Sequence, residues 1–321
     1  MLSLRKETRT GISSPNSPEQ MNRSLNIWIK AFRLRTLPLA LSSTVLGSFV
    51  AYAEELFKWG VFIFASLTTL FLQILSNLAN DYGDAIKGSD GENRLGPQRF
   101  TQSGLISKRQ MRLLIILFVV LSLASGSVLI WLGLGHGKTA GYVLFFVLGF
   151  SAIFAAVKYT IGKRPYGYVG LGDIMVFIYF GILGVAGTYF LHTGSLHWTI
   201  LLPASSVGLF SVGVLNLNNM RDLENDAENG KNTLVVRMGL AWAKIYHVVL
   251  LLSAFILAVT YTLLHFESYY QLIFLLPVPL LISDVQKVIT NSVPIELNHE
   301  LKKLAITTLL FSLAFGIGLI L

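Results

Sequence analysis

The chain contains no cysteine. Disulfides, thiolate metal sites and cysteine nucleophiles are therefore excluded. Charge is also scarce. Only 13% of the 321 residues are Asp, Glu, Lys or Arg, against ~25% in an ordinary soluble domain. The apolar residues make up 53% and fall in long runs, and ~20 consecutive apolar residues suffice to cross a bilayer. The sequence thus predicts an all-α polytopic membrane protein. Nine spans are expected, at about 37–54, 59–79, 111–134, 139–157, 172–192, 198–217, 243–264, 269–283 and 304–321. The polar residues 1–23 have no apolar core of the kind a cleaved signal needs and are expected to form a disordered tail. Residues 24–321 are expected to form one membrane domain.

The net charge of +8 would suit nucleic acid only if it were gathered on one surface. It follows the connections instead. The N-terminal segment and the connections after spans two, four, six and eight hold 23 of the 25 Lys and Arg, the remainder being Lys58 and Lys138. Basic residues favour the cytoplasmic side, so this alternation places the N-terminus and those four connections in the cytoplasm. A nucleic-acid partner is not expected; the lipid bilayer is.

Before the first span, Leu25, Trp28, Ile29 and Phe32 fall on one helical face, a pattern expected for a helix lying in the membrane interface. The connections after spans two and six are long, and long connections in compact folds are usually functional or disordered. Each of these opens on a dense cluster of acids and amides: "NLANDYGDAIKGSD" at 77–90 and "NLNNMRDLENDAENGKNTL" at 216–234. Asn80 and Asp84 are four residues apart, as are Asp222 and Asp226, so each pair shares one helical face. Both clusters emerge on the same side of the membrane.

Carboxylates this concentrated repel one another unless a cation lies between them. Oxygen donors without His or Cys suit Mg²⁺ or Ca²⁺. Mg²⁺ takes one or two protein carboxylates and completes its shell with water and substrate phosphate, so a phosphorylated ligand is expected beside it. Cations suited to that anion stand nearby: Lys87, Arg94 and Arg99 after the first cluster, Arg221 and Lys231 around the second, and Lys163 in the connection after span four.

"NLANDYGDAIKGSD", "RLGPQRFTQSGLIS" and "NNMRDLENDAENGKNTLVVRMG" resemble the UbiA superfamily of intramembrane aromatic prenyltransferases, and within it the branch that prenylates naphthoate. "RLRTLPLALSSTVLG" at 33–47 is similar to the start of that branch. The resemblance covers about 25–321. It implies a nine-helix bundle with a central cavity, capped at the cytoplasmic end by the two motif loops, in the bacterial inner (plasma) membrane. It implies Mg²⁺ as cofactor and polyprenyl diphosphate and 1,4-dihydroxy-2-naphthoate as substrates. Demethylmenaquinone, CO2 and diphosphate are the implied products.

Under that reading Asn80, Asp84, Asp222 and Asp226 are the expected metal ligands, with Asp81 and Asp90 accessory. Asp90 comes two residues later than the commonest superfamily spacing. Arg94, Arg99, Lys163 and Lys231 are expected to neutralise the departing diphosphate, with Lys87 and Arg221 nearby. Tyr82, Tyr159 or Tyr166 would face the allylic cation, and Asp173 the acceptor. Gly181, Gly184, Gly187, Gly208 and Gly213 either line the path of the prenyl tail or let helices pack closely. Two other functions are compatible with the residues: prenylation of a different acceptor, such as 4-hydroxybenzoate, haem or a chlorophyll side chain, and ion-coupled transport. Transporters place charge near the bilayer midplane, whereas the acids here lie at span ends.

Overall fold

The computed structural model describes residues 26–88, 95–96 and 99–321. The expectations for the tail 1–23, for Asp90 and for Arg94 fall outside these. Among the described residues nine helices are long and apolar enough to span a bilayer: α1 Asn26–Ala53, α2 Trp59–Lys87, α3 Lys108–Leu134, α4 Thr139–Lys158, α5 Gly172–Thr193, α6 Trp198–Arg221, α7 Leu234–Leu264, α8 Tyr269–Thr290 and α9 Pro294–Ile320. The expected number holds and no strand occurs among the described residues. The helices extend further than hydropathy marks. α2 runs on to Lys87, α7 begins at Leu234 and α9 at Pro294. These extensions carry polar residues at the helix ends, where apolar content falls but backbone hydrogen bonding and packing continue.

α1 is not continuous. Arg33 adopts a left-handed conformation (φ 53°, ψ 56°), a turn of 3₁₀-helix follows at Leu34–Thr36, and the regular helix starts at Leu37 with Pro38 in its first turn, where proline costs no hydrogen bond. The segment before the break is not an interfacial helix with its apolar face in lipid. Ile27, Trp28 and Phe32 pack on a core formed by Ala31, Leu75, Leu78, Met111 and Phe118, while Ile29 is exposed; Leu25, the remaining residue of the expected face, lies outside the described residues.

The main core joins α1, α5, α6, α7, α8 and α9 through Leu46, Val185, Phe210, Leu251, Phe274 and Phe311. α5 and α6 approach closely at Gly181 and Gly208. A Cβ on Gly181 would lie 2.7 Å from both the Ala204 carbonyl oxygen and the Gly208 Cα. Between Phe177 and Gly187, α5 is wound as a π-helix, a form concentrated at functional sites, and Ser43 Oγ of α1 donates to the Phe180 carbonyl there at 2.5 Å. The spans are not free of ionisable groups. His247 of α7 pairs with Asp284 of α8 (Nε2 to Oδ2, 2.8 Å), both buried. Asp284 falls beyond the expected end of its span but well inside the observed helix.

Candidate active site

The last two turns of α2 carry the first cluster. Asn77, Asn80 and Asp84 recur at helical spacing and line one cavity. The helix stops at Gly88, whose φ of 66° is left-handed and whose N–H bonds back to the Asp84 carbonyl, the usual glycine ending. Asp81, one residue on from Asn80, lies about 100° around the helix and does not line the cavity. It accepts the backbone N–H groups of Phe100 and Thr101 at 2.9 and 3.0 Å. Asp81, expected as an accessory to the metal and a catalytic residue, instead fixes the loop from outside the cavity lining. Arg99, the preceding loop residue, pairs through Nη2 with Asp84 Oδ2, and the Tyr168 hydroxyl donates to Asp84 Oδ1 at 3.2 Å.

The second cluster sits at the end of α6. Asp222 leaves helical geometry (φ −96°, ψ 11°) and a short helix, Leu223–Glu228, follows. The four-residue spacing survives the break because the Asp226 N–H bonds to the Asp222 carbonyl at 2.7 Å. Lys231 Nζ lies 3.2 Å from both Asp226 oxygens. Burial pushes the Asp226 carboxyl up to about 6; Lys231 opposes that rise, while Asp222 and Asp84 add to it. Lys231 itself stays a firm cation. Burial alone would lower it, but Asp226, Tyr159, Asp84 and Asp222 together raise it.

Asn80, Asp84, Asp222, Asp226, Arg99, Lys231 and Tyr159 therefore share the polar end of a single cavity of about 380 Å³. The cavity continues between α2, α3, α4 and α5 past Thr68, Leu129, Phe145, Leu183 and Leu191. Burial raises the Tyr159 phenol above its ordinary value, so it stays protonated. Tyr166 also lines the cavity, with its hydroxyl on the Ala155 carbonyl at 2.8 Å.

Other expected site residues lie elsewhere. Arg221 does not line the cavity. Its guanidinium grips Asp222 through Nε at 2.8 Å and through Nη2, so it orients Asp222 rather than facing the cavity. Lys87 stands over the Tyr168 ring, 3.7 Å from its centroid. Lys163 is exposed and apart from the lining. Asp173, in the first turn of α5, is turned to α7, where the Tyr246 hydroxyl donates to it at 3.1 Å. Tyr82 packs in the core beside α3. The glycines divide: Gly184 and Gly187 line the cavity, while Gly181, Gly208 and Gly213 serve close packing.

Three lining residues escape a reading of the acids and cations. Asn218 precedes Asp222 by one helical turn, so the four-residue spacing already pointed to it. Asn225 adjoins Asp226, and Tyr168 reaches the cavity from the connection between α4 and α5. Among the described residues no three acids or histidines cluster tightly enough to enclose an ion by themselves. The oxygen donors at the polar end of the cavity are of the kind that suits Mg²⁺ completed by ligand phosphate. The donors are all oxygens, and the amides of Asn80, Asn218 and Asn225 stand among the carboxylates.

Acids, amides and cations thus head a cavity whose deeper walls are apolar, set among helices long and apolar enough to span a bilayer. The chain belongs to the UbiA prenyltransferase family, whose model it matches over residues 40–297. It is 42% identical over 306 residues to a 1,4-dihydroxy-2-naphthoate octaprenyltransferase of Haemophilus influenzae, covering 95% of this chain and 99% of that one. It is 41% identical over 303 residues to the Escherichia coli protein of the same name, covering 94% and 98%. Its fold matches a UbiA homolog from Archaeoglobus fulgidus solved with GPP and Mg²⁺, with a TM-score of 0.59 and 19% identity over 90% of this chain and 99% of that one. The protein is a multi-pass membrane prenyltransferase.

Proposed function

We propose that this protein transfers a polyprenyl chain from polyprenyl diphosphate to 1,4-dihydroxy-2-naphthoate, releasing diphosphate and CO2. The observation that carries the proposal is the continuity of one cavity from an acid–amide–cation head to an apolar shaft. The near full-length similarity to naphthoate octaprenyltransferases supports the choice of acceptor. Asn80, Asp84, Asp222 and Asp226 would hold Mg²⁺, which supplies Lewis-acid neutralisation of the diphosphate. Arg99 and Lys231 bring fixed positive charge to the same end of the cavity, where charge gathers on the leaving group.

The bond between C1 of the prenyl chain and the diphosphate oxygen breaks, and the electron pair leaves with the diphosphate. Tyr159 and Tyr166, which line the same cavity, would stabilise the allylic cation through their rings, worth ~2 kcal/mol when desolvated. The apolar walls exclude water that would quench it. The electron-rich ring carbon bearing the carboxylate attacks C1. The ring–carboxylate bond then breaks, CO2 departs and its electron pair restores the aromatic ring, giving the quinol form of demethylmenaquinone. By the distribution of Lys and Arg the head of the cavity faces the cytoplasm of the bacterial inner membrane.

Membranes containing the protein, given a labelled prenyl diphosphate and either acceptor, test the assignment. Labelled product is expected from dihydroxynaphthoate and not from 4-hydroxybenzoate; the reverse pattern would overturn it.

A further inference from the structure

Asn298, in the first turns of α9, touches both motif-bearing segments without lining the cavity. Its Oδ1 accepts from Arg221 Nη1 at 2.8 Å, and its Nδ2 donates to the Leu95 carbonyl at 3.2 Å. The orientation of this amide is fixed by its partners, since a guanidinium only donates and a carbonyl only accepts. Arg221 is fully buried. Its other N–H groups go to Asp222 and to Asn218 Oδ1, so Asn298 is one wall of the socket that aims Asp222. On its other side, Leu95 lies four residues before Arg99. The chain just beyond Arg99 is pegged by Asp81 at Phe100 and Thr101. Arg99 therefore sits between two anchors, one on α2 and one on α9, with its guanidinium on Asp84.

We propose that Asn298 is a positioning residue for prenyl diphosphate binding. It sets Asp222 through Arg221 and Arg99 through Leu95, so that α9 holds the two halves of the head group site at one separation. This rests on the reading of that cavity end as the diphosphate site.

Calorimetric binding of geranyl diphosphate with Mg²⁺ to the detergent-solubilised full chain tests it. Asn298→Ala is expected to weaken binding about tenfold, the scale of one lost hydrogen bond to a charged group. Asn298→Asp keeps an acceptor for Arg221 but cannot donate to the Leu95 carbonyl, so it isolates the second link. It is expected to weaken binding in the wild-type background and to add less than about twofold in an Arg99→Ala background. A purely structural residue would give the same loss in both backgrounds, and that result overturns the proposal. So does wild-type affinity in both Asn298 variants. Failure of the unmodified protein to bind geranyl diphosphate with Mg²⁺ would instead remove the reading of the site itself.

Discussion

Asp226 carries a charge that its surroundings resist. Burial raises its carboxyl to about 6 even with Lys231 beside it. A cation ligand must be ionised, so protonation removes it. Affinity for Mg²⁺ with geranyl diphosphate is therefore expected to hold at neutral pH and fall as pH drops through about 6. Lys231 opposes the rise, so Lys231→Met should move that midpoint upward; calorimetry from about pH 8 to about pH 5 reads both effects. Asp84→Ala and Asp226→Ala should each lower the rate of prenyl transfer by at least about a hundredfold, the scale at which fixed electrostatic groups act, while the protein still inserts in the membrane. Full activity in either would remove that residue from the site. The sequence already isolated these two acids with Asn80 and Asp222, because spacing on a helix is a local property. It set Asp81 apart from Asp84 as accessory but did not reveal its task, which depends on the loop at Phe100 and Thr101, nineteen and twenty residues further along the chain. Nor did it reveal that Arg221 faces Asp222 and Asn298 rather than the cavity, because Asn298 lies 77 residues away.

At the scale of the helix, hydropathy located every span but not its full length. It reports what touches lipid, whereas the residues that head the cavity stand on polar ends that remain helical past it, the last turns of α2 and of α6. The start of α3 shows how such an end is held. Ser107 and Gln110 form a reciprocal capping box, worth about 1 kcal/mol, and its pattern is visible in "SKRQ". Small residues were harder to read, since a glycine facing a cavity and one facing a helix look the same in sequence. The structure makes them distinguishable by experiment. Gly181→Ala would push a Cβ into the backbone of α6, an overpacking that costs about 1–3 kcal/mol. Its melting temperature in detergent should fall by several degrees. Gly149 also lines the cavity, yet nothing lies within 4 Å of an added Cβ. Gly149→Ala should melt with the wild type. Equal melting of the two variants would contradict the assigned contact between α5 and α6.

For the molecule as a whole, the distribution of Lys and Arg predicts that the polar head of the cavity meets the cytoplasm. The absence of cysteine makes this directly measurable. Lys163→Cys, in the connection after α4, should react with an impermeant maleimide only in inside-out vesicles, and Lys138→Cys, after α3, only in right-side-out ones. Both positions are exposed; labelling with the sides exchanged would invert the topology. The buried His247–Asp284 pair lies apart from the cavity lining, in the core between α7 and α8, so its presence within the spans does not make a transport pathway. Decarboxylative prenyl transfer is proposed for the cavity headed by Asp84 and Asp226. Its most direct test is the mass spectrum of the product made by purified protein from dihydroxynaphthoate, Mg²⁺ and a prenyl diphosphate. The predicted product carries one prenyl chain and no carboxyl group, and is missing in Asp84→Ala. A prenylated product that keeps the carboxyl, or the same product from Asp84→Ala, would contradict it.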